Sequence, residues 1–191
     1  MKKAVVALVL SLWASLASAQ NVATDFEAFA PGTAVEALAI PGVTFSSAPP
    51  GGWTVTTFVG FALLTNGIVN TPAGDVLTAD FAPGHSSYRF DFATNGAGTV
   101  QVTGFRNGVV VFTHAYTGTI PPGIVFPEGT AAATGVIFDR LVIEGLGGLQ
   151  FGIDNFAATG ASTIPTLSQW GLILLAGLMG VGAFATMRRQ A

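Results

Sequence analysis

The 191-residue chain contains no cysteine, and charged side chains make up only 9% of it. Without cysteine it forms no disulfide and offers neither a thiol nucleophile nor a thiolate ligand for a metal ion. Lysine is confined to Lys2 and Lys3, and residues 20–161 contain three arginines against ten acidic residues, a net charge of −7. Such a surface repels phosphate backbones, so we expect no nucleic-acid partner.

The sequence also has little that points to catalysis. His85 and His114 lie in no HExxH spacing, and no GxSxG motif surrounds Ser86 or Ser87. Neighbouring residues on an extended chain point to opposite faces, so His85 and Ser86 do not form a catalytic pair. We therefore predict a protein that is not an enzyme. The alternative is a secreted polysaccharide hydrolase that uses a carboxylate pair drawn from the ten acidic residues.

Residues 1–19 have the layout of a secretory signal peptide. Two lysines precede an apolar run, Ala4–Leu16, and small residues at positions 17–19 form a cleavage site. The alternative is an uncleaved membrane anchor, but the apolar run is shorter than a membrane-spanning helix requires. The segment predicts export through the Sec machinery and cleavage after Ala19.

A second apolar segment lies near the C-terminus. No charged side chain occurs from Trp170 to Met187, and Arg188 and Arg189 follow at once. This length is close to the minimum with which a helix crosses a bilayer. The alternative is a buried core helix, which this segment fits poorly because it has no polar face. We predict one transmembrane helix, with the two arginines in the cytoplasm and the preceding domain outside.

A specific motif precedes that helix. Pro165 has no N–H and pushes Ile164 toward an extended conformation, which a membrane-embedded processing enzyme can bind. The motif, the apolar helix and the basic end, in this order, resemble the IPTL-CTERM sorting signal, a relative of the PEP-CTERM signals of Gram-negative bacteria. Gln169 stands where that pattern often has an acidic residue. The matching residues are Ile164, Pro165, Thr166, Leu167, Ser168, Trp170, Gly171, Arg188 and Arg189.

The resemblance implies a partner and a destination. An exosortase-type membrane enzyme would recognise the tail and cut it near the motif. The precursor would be anchored in the inner membrane, and the mature form would reach the cell surface or extracellular matrix of a Gram-negative bacterium. The alternative is a permanent single-span anchor.

Residues 20–161 have the pattern of an all-β domain. Alternation in SSYRFDF places Tyr88, Phe90 and Phe92 on one face, and Asn107–Gly108 is the tight turn of a hairpin. Breaks rich in glycine and proline separate further strands, and no stretch has a helical period. We predict an antiparallel, jelly-roll-like β-sandwich. The predicted organisation is a signal peptide at 1–19, the sandwich at 20–161 and the sorting signal at 162–191.

Acidic side chains lie at both ends of this domain. An opening DFE strand and a closing IDN strand resemble those of MAM and galactose-binding-like jelly rolls, although the cysteines typical of MAM modules are missing. The resemblance implies adjacent first and last strands and a structural cation held by Glu27 and Asp154, helped by Asp25 or Asn155. Ca²⁺ prefers such oxygen ligands, and it would hold a cysteine-free domain closed. Alternatively, the first two acids are solvated and Asp154 bonds a nearby backbone group.

Trp53 is the candidate for ligand binding. It follows the APPGG loop, and the face of its ring suits the C–H side of a pyranose; core packing is the alternative. We expect an exported, non-enzymatic cell-envelope or extracellular-matrix protein whose sandwich contacts extracellular polysaccharide. A structural surface protein without a ligand is a further hypothesis.

Overall fold

The computed structural model describes residues 20–71 and 73–161, which form nine β-strands and one 3₁₀ turn, Val35–Ala37. The predicted signal peptide, sorting motif and transmembrane helix lie outside these residues. Within them, no helix is long and apolar enough to cross a membrane. The strands are β1 Val22–Thr24, β2 Val43–Ala48, β3 Trp53–Thr57, β4 Asn66–Asn70, β5 Val76–Thr94, β6 Thr99–Arg106, β7 Val109–Thr117, β8 Glu128–Gly145 and β9 Phe151–Gly160.

All paired strands are antiparallel, in the order β3-β4-β9-β5-β8-β6-β7, with β1 on β9 and β2 on β5. The long strands β5 and β8, of 19 and 18 residues, pass through both layers of the fold. The first half of β5 pairs with β2 and the end of β8, and its second half pairs with β9 and the start of β8. This arrangement confirms the predicted all-β antiparallel sandwich.

The segments DVLTADF and SSYRFDF, which the sequence predicts as separate strands, are two halves of the single strand β5. Pro83 and Gly84 lie between them. The ladder with β8 instead continues across them, with register shifts between Asp80 and His85 and between His85 and Ser87. Such irregularities bend a strand without ending it, which lets β5 pass from one layer to the other.

The core lies between the layers and is rich in phenylalanine. Tyr88, Phe90 and Phe92 are all buried, as their alternation predicts. Phe156 of β9 packs edge-on against Phe45 of β2 at a centroid distance of 5.2 Å and stacks against Phe90 at 6.2 Å. These rings join the two layers without any disulfide.

The predicted hairpin is also present, between β6 and β7. Asn107 and Gly108 have φ angles of +51° and +78°. Positive φ at both central residues is the signature of a type I′ turn, whose twist matches that of the flanking strands. The turn sets the register in which Arg106 pairs with Val109.

Candidate functional site

The first and last strands lie side by side, as the resemblance implied: Val22 of β1 pairs with Ala158 of β9. The acidic segment that was predicted as part of the opening strand instead forms a turn after β1. Its middle residue, Phe26, has a φ of +57° and is fully buried against Phe45. Because this ring turns into the core, the flanking acids Asp25 and Glu27 stay exposed at the surface.

Thr65 connects the two carboxylates that were expected to share a cation. Its hydroxyl lies 2.9 Å from Glu27 Oε1 and 3.4 Å from Asp154 Oδ2. The hydroxyl has one proton, so it donates to one carboxylate at a time. Thr65 is 38 residues from Glu27 and 89 from Asp154 along the chain, and no spacing in the sequence indicated it.

Asp154 has no exposed surface and forms no ion pair with a described residue. Its carboxylate accepts hydrogen bonds from the main-chain N–H of Thr65 at 2.9 Å and of Asn155 at 2.6 Å. Burial raises the pKa of Asp154, the neighbouring charge of Glu27 adds to the increase, and the hydrogen bonds oppose it. The site therefore places a buried carboxyl group, whose charged form is disfavoured by burial, beside a second carboxylate.

A β-bulge at Asn155 brings a third carboxylate toward this site. Asn155 has a φ of +51° and is the extra residue between the pairs Asp91–Asp154 and Arg89–Ala157. Its side-chain amide donates to Asp91 Oδ2 at 3.1 Å. Asp91 also accepts from Arg89 at 3.1 Å, so this buried carboxylate, unlike Asp154, has a cationic partner.

The segment 58–65, FVGFALLT, lies over these carboxylates. Glu128, which is buried, accepts hydrogen bonds from the main-chain N–H groups of Ala62 and Leu63 at 2.7–3.1 Å. At the other end of the segment, Thr65 is bound to Asp154. Two buried carboxylates from different strands thus fix the path of an exposed loop, a role that the sequence did not reveal for Glu128.

The residues predicted to bind a cation are brought together only in part. Glu27 and Asp154 meet through Thr65, and Asn155 adjoins them, but Asp25 accepts a bond from the main-chain N–H of Glu27 at 3.2 Å. Among residues 20–71 and 73–161, no group of three or more acidic or histidine side chains has the arrangement of a metal site. The chemistry still suits a hard cation, because two carboxylates, a hydroxyl and an amide oxygen are the kinds of ligand that Ca²⁺ accepts.

An open depression adjoins this group. It has a volume of about 300 Å³, and Thr24, Asp25 and Asn155 are among its lining residues. Asp25 and Asn155 are the predicted ligands that Thr65 does not contact. The depression gives solvent and small solutes access to the edge of the carboxylate site.

Trp53, the residue predicted to stack on a sugar, has no exposed surface. Its ring packs edge-on against Phe151 at 4.9 Å, and its indole N–H donates to the main-chain oxygen of Asp75 at 3.2 Å. The stacking role is therefore corrected to the core-packing alternative: as the first residue of β3, Trp53 turns inward from the loop border.

Each histidine packs against aromatic rings and lies within hydrogen-bond distance of an oxygen atom. His85 is buried between Phe81 and Phe138, with Nε2 2.9 Å from the main-chain oxygen of Gln20. His114 lies on β7, where its Nδ1 is 3.2 Å from the hydroxyl of Tyr88. Desolvation by burial raises the pKa of Tyr88, and its hydrogen bond with Tyr116 adds to the effect, so this phenol stays protonated.

Comparison with known proteins identifies the tail. Residues 163–189 match the family model of the IPTL-CTERM motif, which covers the motif and the apolar segment predicted above. No curated protein matches the chain. The resemblance to this sorting signal is therefore confirmed for the tail and gives no family to residues 20–161.

Some solved structures resemble the sandwich at low identity. A family 6 carbohydrate-binding module is 16% identical, with 61% of this chain and 87% of that chain covered and a TM-score of 0.40. A family 29 carbohydrate-binding module is 13% identical, with coverages of 74% and 92% and a TM-score of 0.39. The catalytic domain of an alpha-1,3-glucanase is 11% identical, with coverages of 63% and 28% and a TM-score of 0.37. Likenesses this weak assign neither a ligand nor an activity.

Proposed function

We propose that this chain is an exported, non-enzymatic protein of the Gram-negative cell envelope or extracellular matrix, and that its β-sandwich is the cargo of its C-terminal signal. The match of residues 163–189 to the IPTL-CTERM motif carries the proposal. That match begins three residues after the last strand ends at Gly160. The signal-peptide pattern at residues 1–19 supports export through the Sec machinery. An exosortase-type enzyme then processes the membrane-anchored precursor.

The sorting step is tested by changing the motif alone. We expect replacement of residues 164–167 by four alanines to leave unprocessed precursor in the inner membrane of the expressing bacterium. The matched control replaces residues 172–175 by four alanines, which keeps the segment apolar and leaves the motif intact. Fractionation and immunoblotting measure both. Equal processing of the two variants would show that the motif does not direct the step.

The Glu27–Asp154 pair is the cation site of this proposal. Asp154 is buried without a cationic partner among the described residues, and Thr65 has one hydroxyl proton for two carboxylates. Ca²⁺ would be held by the two carboxylates with the Thr65 hydroxyl and the Asn155 amide oxygen, and Asp25 at the rim of the depression is a further ligand. When bound, the ion neutralises the pair and links the turn after β1 to β9.

This site is tested by thermal unfolding of the full chain with Ca²⁺ or with EDTA. Ca²⁺ at about one hundred times its dissociation constant should stabilise the fold by about 2.7 kcal/mol. Glu27→Gln should remove most of that gain, whereas Glu144→Gln, at a partly exposed position on β8, should keep it. If EDTA leaves the wild-type midpoint unchanged, the pair holds no cation.

Glycan contact, which Trp53 does not provide, is assigned to a partly exposed aromatic cluster that consists of Phe58, Phe61 and Phe126. Phe61 stacks nearly parallel to Phe126, at 5.1 Å and 9°, and packs edge-on against Phe58 at 5.2 Å. The proposal rests on their partial exposure, because an exposed ring face suits the C–H side of a sugar. On a glycan array, Phe61→Ala should weaken binding while Trp53→Phe should not, and silence of the wild type would favour the structural protein without a ligand.

The hydrolase alternative has less support. Its chemistry needs two carboxylates on either side of a bound sugar. Here Asp91, Glu128 and Asp154 are each at most 4% exposed, and the first and last are joined through Asn155 beneath segment 58–65. A saccharide does not reach such groups unless the loop opens. Release of product that a single Asp or Glu substitution abolishes would establish the hydrolase in place of the binding protein.

A further inference from the structure

Most edges of the sandwich are covered by other parts of the chain. On β3, the main-chain N–H of Gly32 donates to the oxygen of Val55, and the N–H of Val55 donates to the oxygen of Thr33, both at 2.8 Å. On β2, the N–H of Ser47 donates to the carboxylate of Glu36 at 2.9 Å. Unpaired strand edges bind other chains, and covering them prevents association.

The first half of β8 is also an edge, and it too is occupied. Thr119 and Glu128 exchange main-chain hydrogen bonds at 2.9 and 2.8 Å. The hydroxyl of Tyr116 donates to the main-chain oxygen of Ala132 at 2.9 Å. Farther along, Gly135 has a φ of +96°, which interrupts the regular strand. These contacts occupy the edge at Glu128 and at Ala132.

Strand β7 is the exception. It pairs with β6 on one side, and no other described residue forms a hydrogen bond with its main chain. Its nine residues, VVVFTHAYT, include no lysine, arginine, acidic residue or proline. Val109 and Val110 at its start are 66% and 53% exposed. Strand edges are commonly protected by charge, proline or a covering segment, and β7 has none of these; a bulge lies at Val111, between the pairs Phe105–Val110 and Gly104–Phe112.

The register shows which groups of β7 are free. In a two-residue type I′ hairpin the flanking residues form a hydrogen-bonded pair, here Arg106 and Val109. Alternation along β6 then places His114, the partner of Val102, at a hydrogen-bonded position. The main-chain groups of Thr113 and Ala115 accordingly point away from β6. Both side chains are exposed as well.

We propose that β7 is an interface at which two copies of this chain associate, each β7 pairing antiparallel with the other about a twofold axis. Residues 20–161 have a net charge of −7, so two copies repel each other at long range, and contact between them is opposed least at a surface that has no charged side chain. The uncharged β7 is such a surface. An identical antiparallel strand also satisfies its free main-chain groups and covers its exposed valines. The two copies then share one continuous layer.

Because the chain has no cysteine, a single introduced cysteine reports contact between copies without background. Thr113→Cys places it on β7. The matched control, Thr44→Cys, places it at an exposed position on β2, whose edge Glu36 covers. In the purified full chain, mild oxidation should give at least tenfold more linked dimer from Thr113→Cys. Equal dimer fractions would overturn the proposal. Both variants carry the same C-terminal tail, so association through the tail would raise the dimer fraction of the control as well.

Light scattering on the same preparations gives a second test. Thr113→Pro removes an N–H that β6 does not use, so it should shift the wild-type dimer to monomer with the circular dichroism spectrum unchanged. If this variant does not fold, Ala115→Lys adds a charge at the same edge and should have the same effect. A wild-type chain that stays monomeric at all concentrations, or a dimer that folded variants leave intact, would overturn the proposal.

Discussion

Glu128 offers a quantitative test of the way segment 58–65 is held in place. This side chain is 3% exposed and accepts bonds from two main-chain N–H groups, those of Ala62 at 2.8 and 3.1 Å and Leu63 at 2.7 Å. Glu128→Gln keeps the volume of the side chain and replaces one acceptor oxygen by a donor. The hydrogen bonds lose their charge assistance, and one acceptor position becomes a donor that faces a main-chain N–H group, which costs about 1.5–3 kcal/mol.

The assay is thermal unfolding of the full chain at pH 7. At roughly 3 °C per kcal/mol for a domain of this size, the midpoint should fall by about 5–9 °C. Glu144→Gln is the matched control on the same strand, because Glu144 is partly exposed and accepts one side-chain bond, from Gln101 at 2.8 Å. It should cost less than about 1 kcal/mol. Equal losses in the two variants, or no loss in Glu128→Gln, would refute the reasoning.

Three further outcomes are expected. The pKa of Asp154 is raised in the folded state, so the folded state holds a proton over a pH range in which the unfolded state has lost it. The contribution of Asp154 to stability is therefore greatest below its unfolded pKa and is lost as the pH rises through its folded pKa. In EDTA, the wild-type midpoint should therefore rise relative to that of Asp154→Asn as the pH is lowered, and parallel profiles would contradict this. Trp53→Ala should lower the free energy of unfolding in urea by about 3–5 kcal/mol; a loss below about 1 kcal/mol would contradict its burial. Gly108→Ala, at a φ of +78°, should cost about 1–2 kcal/mol in the same assay, and an unchanged midpoint would contradict the type I′ turn.

The local pattern of the sequence predicted the parts of the fold that depend on neighbouring residues. Alternation placed Phe90 and Phe92 in the core, and Asn107–Gly108 fixed the hairpin. The prediction was wrong where the local signal was ambiguous. DVLTADF and SSYRFDF belong to one strand, β5, which is bent between them. The strand continues because β5 pairs with β8 on both sides of the register shifts.

The candidate site was harder to predict because its contacts are distant in sequence. Asp154 was found from its place on the closing strand, but Thr65 is 89 residues away and Glu128 binds a loop 65 residues away. A threonine in LLTNG and a glutamate in FPEGT have no local signal for these roles. Trp53 was predicted wrongly for a related reason. The side chain of a residue at a loop border points either to solvent or to the core, and only tertiary packing determines which.

The central claim is that residues 162–191 serve as a sorting signal for the sandwich and that the tail is cut near the motif during processing. The most direct test is the intact mass of the protein recovered from the cell surface or culture medium, together with sequencing of its terminal peptides. The account predicts an N-terminus at Gln20 and a C-terminus near the motif, without the apolar segment. A surface form that retains the complete tail through Arg189 would contradict it.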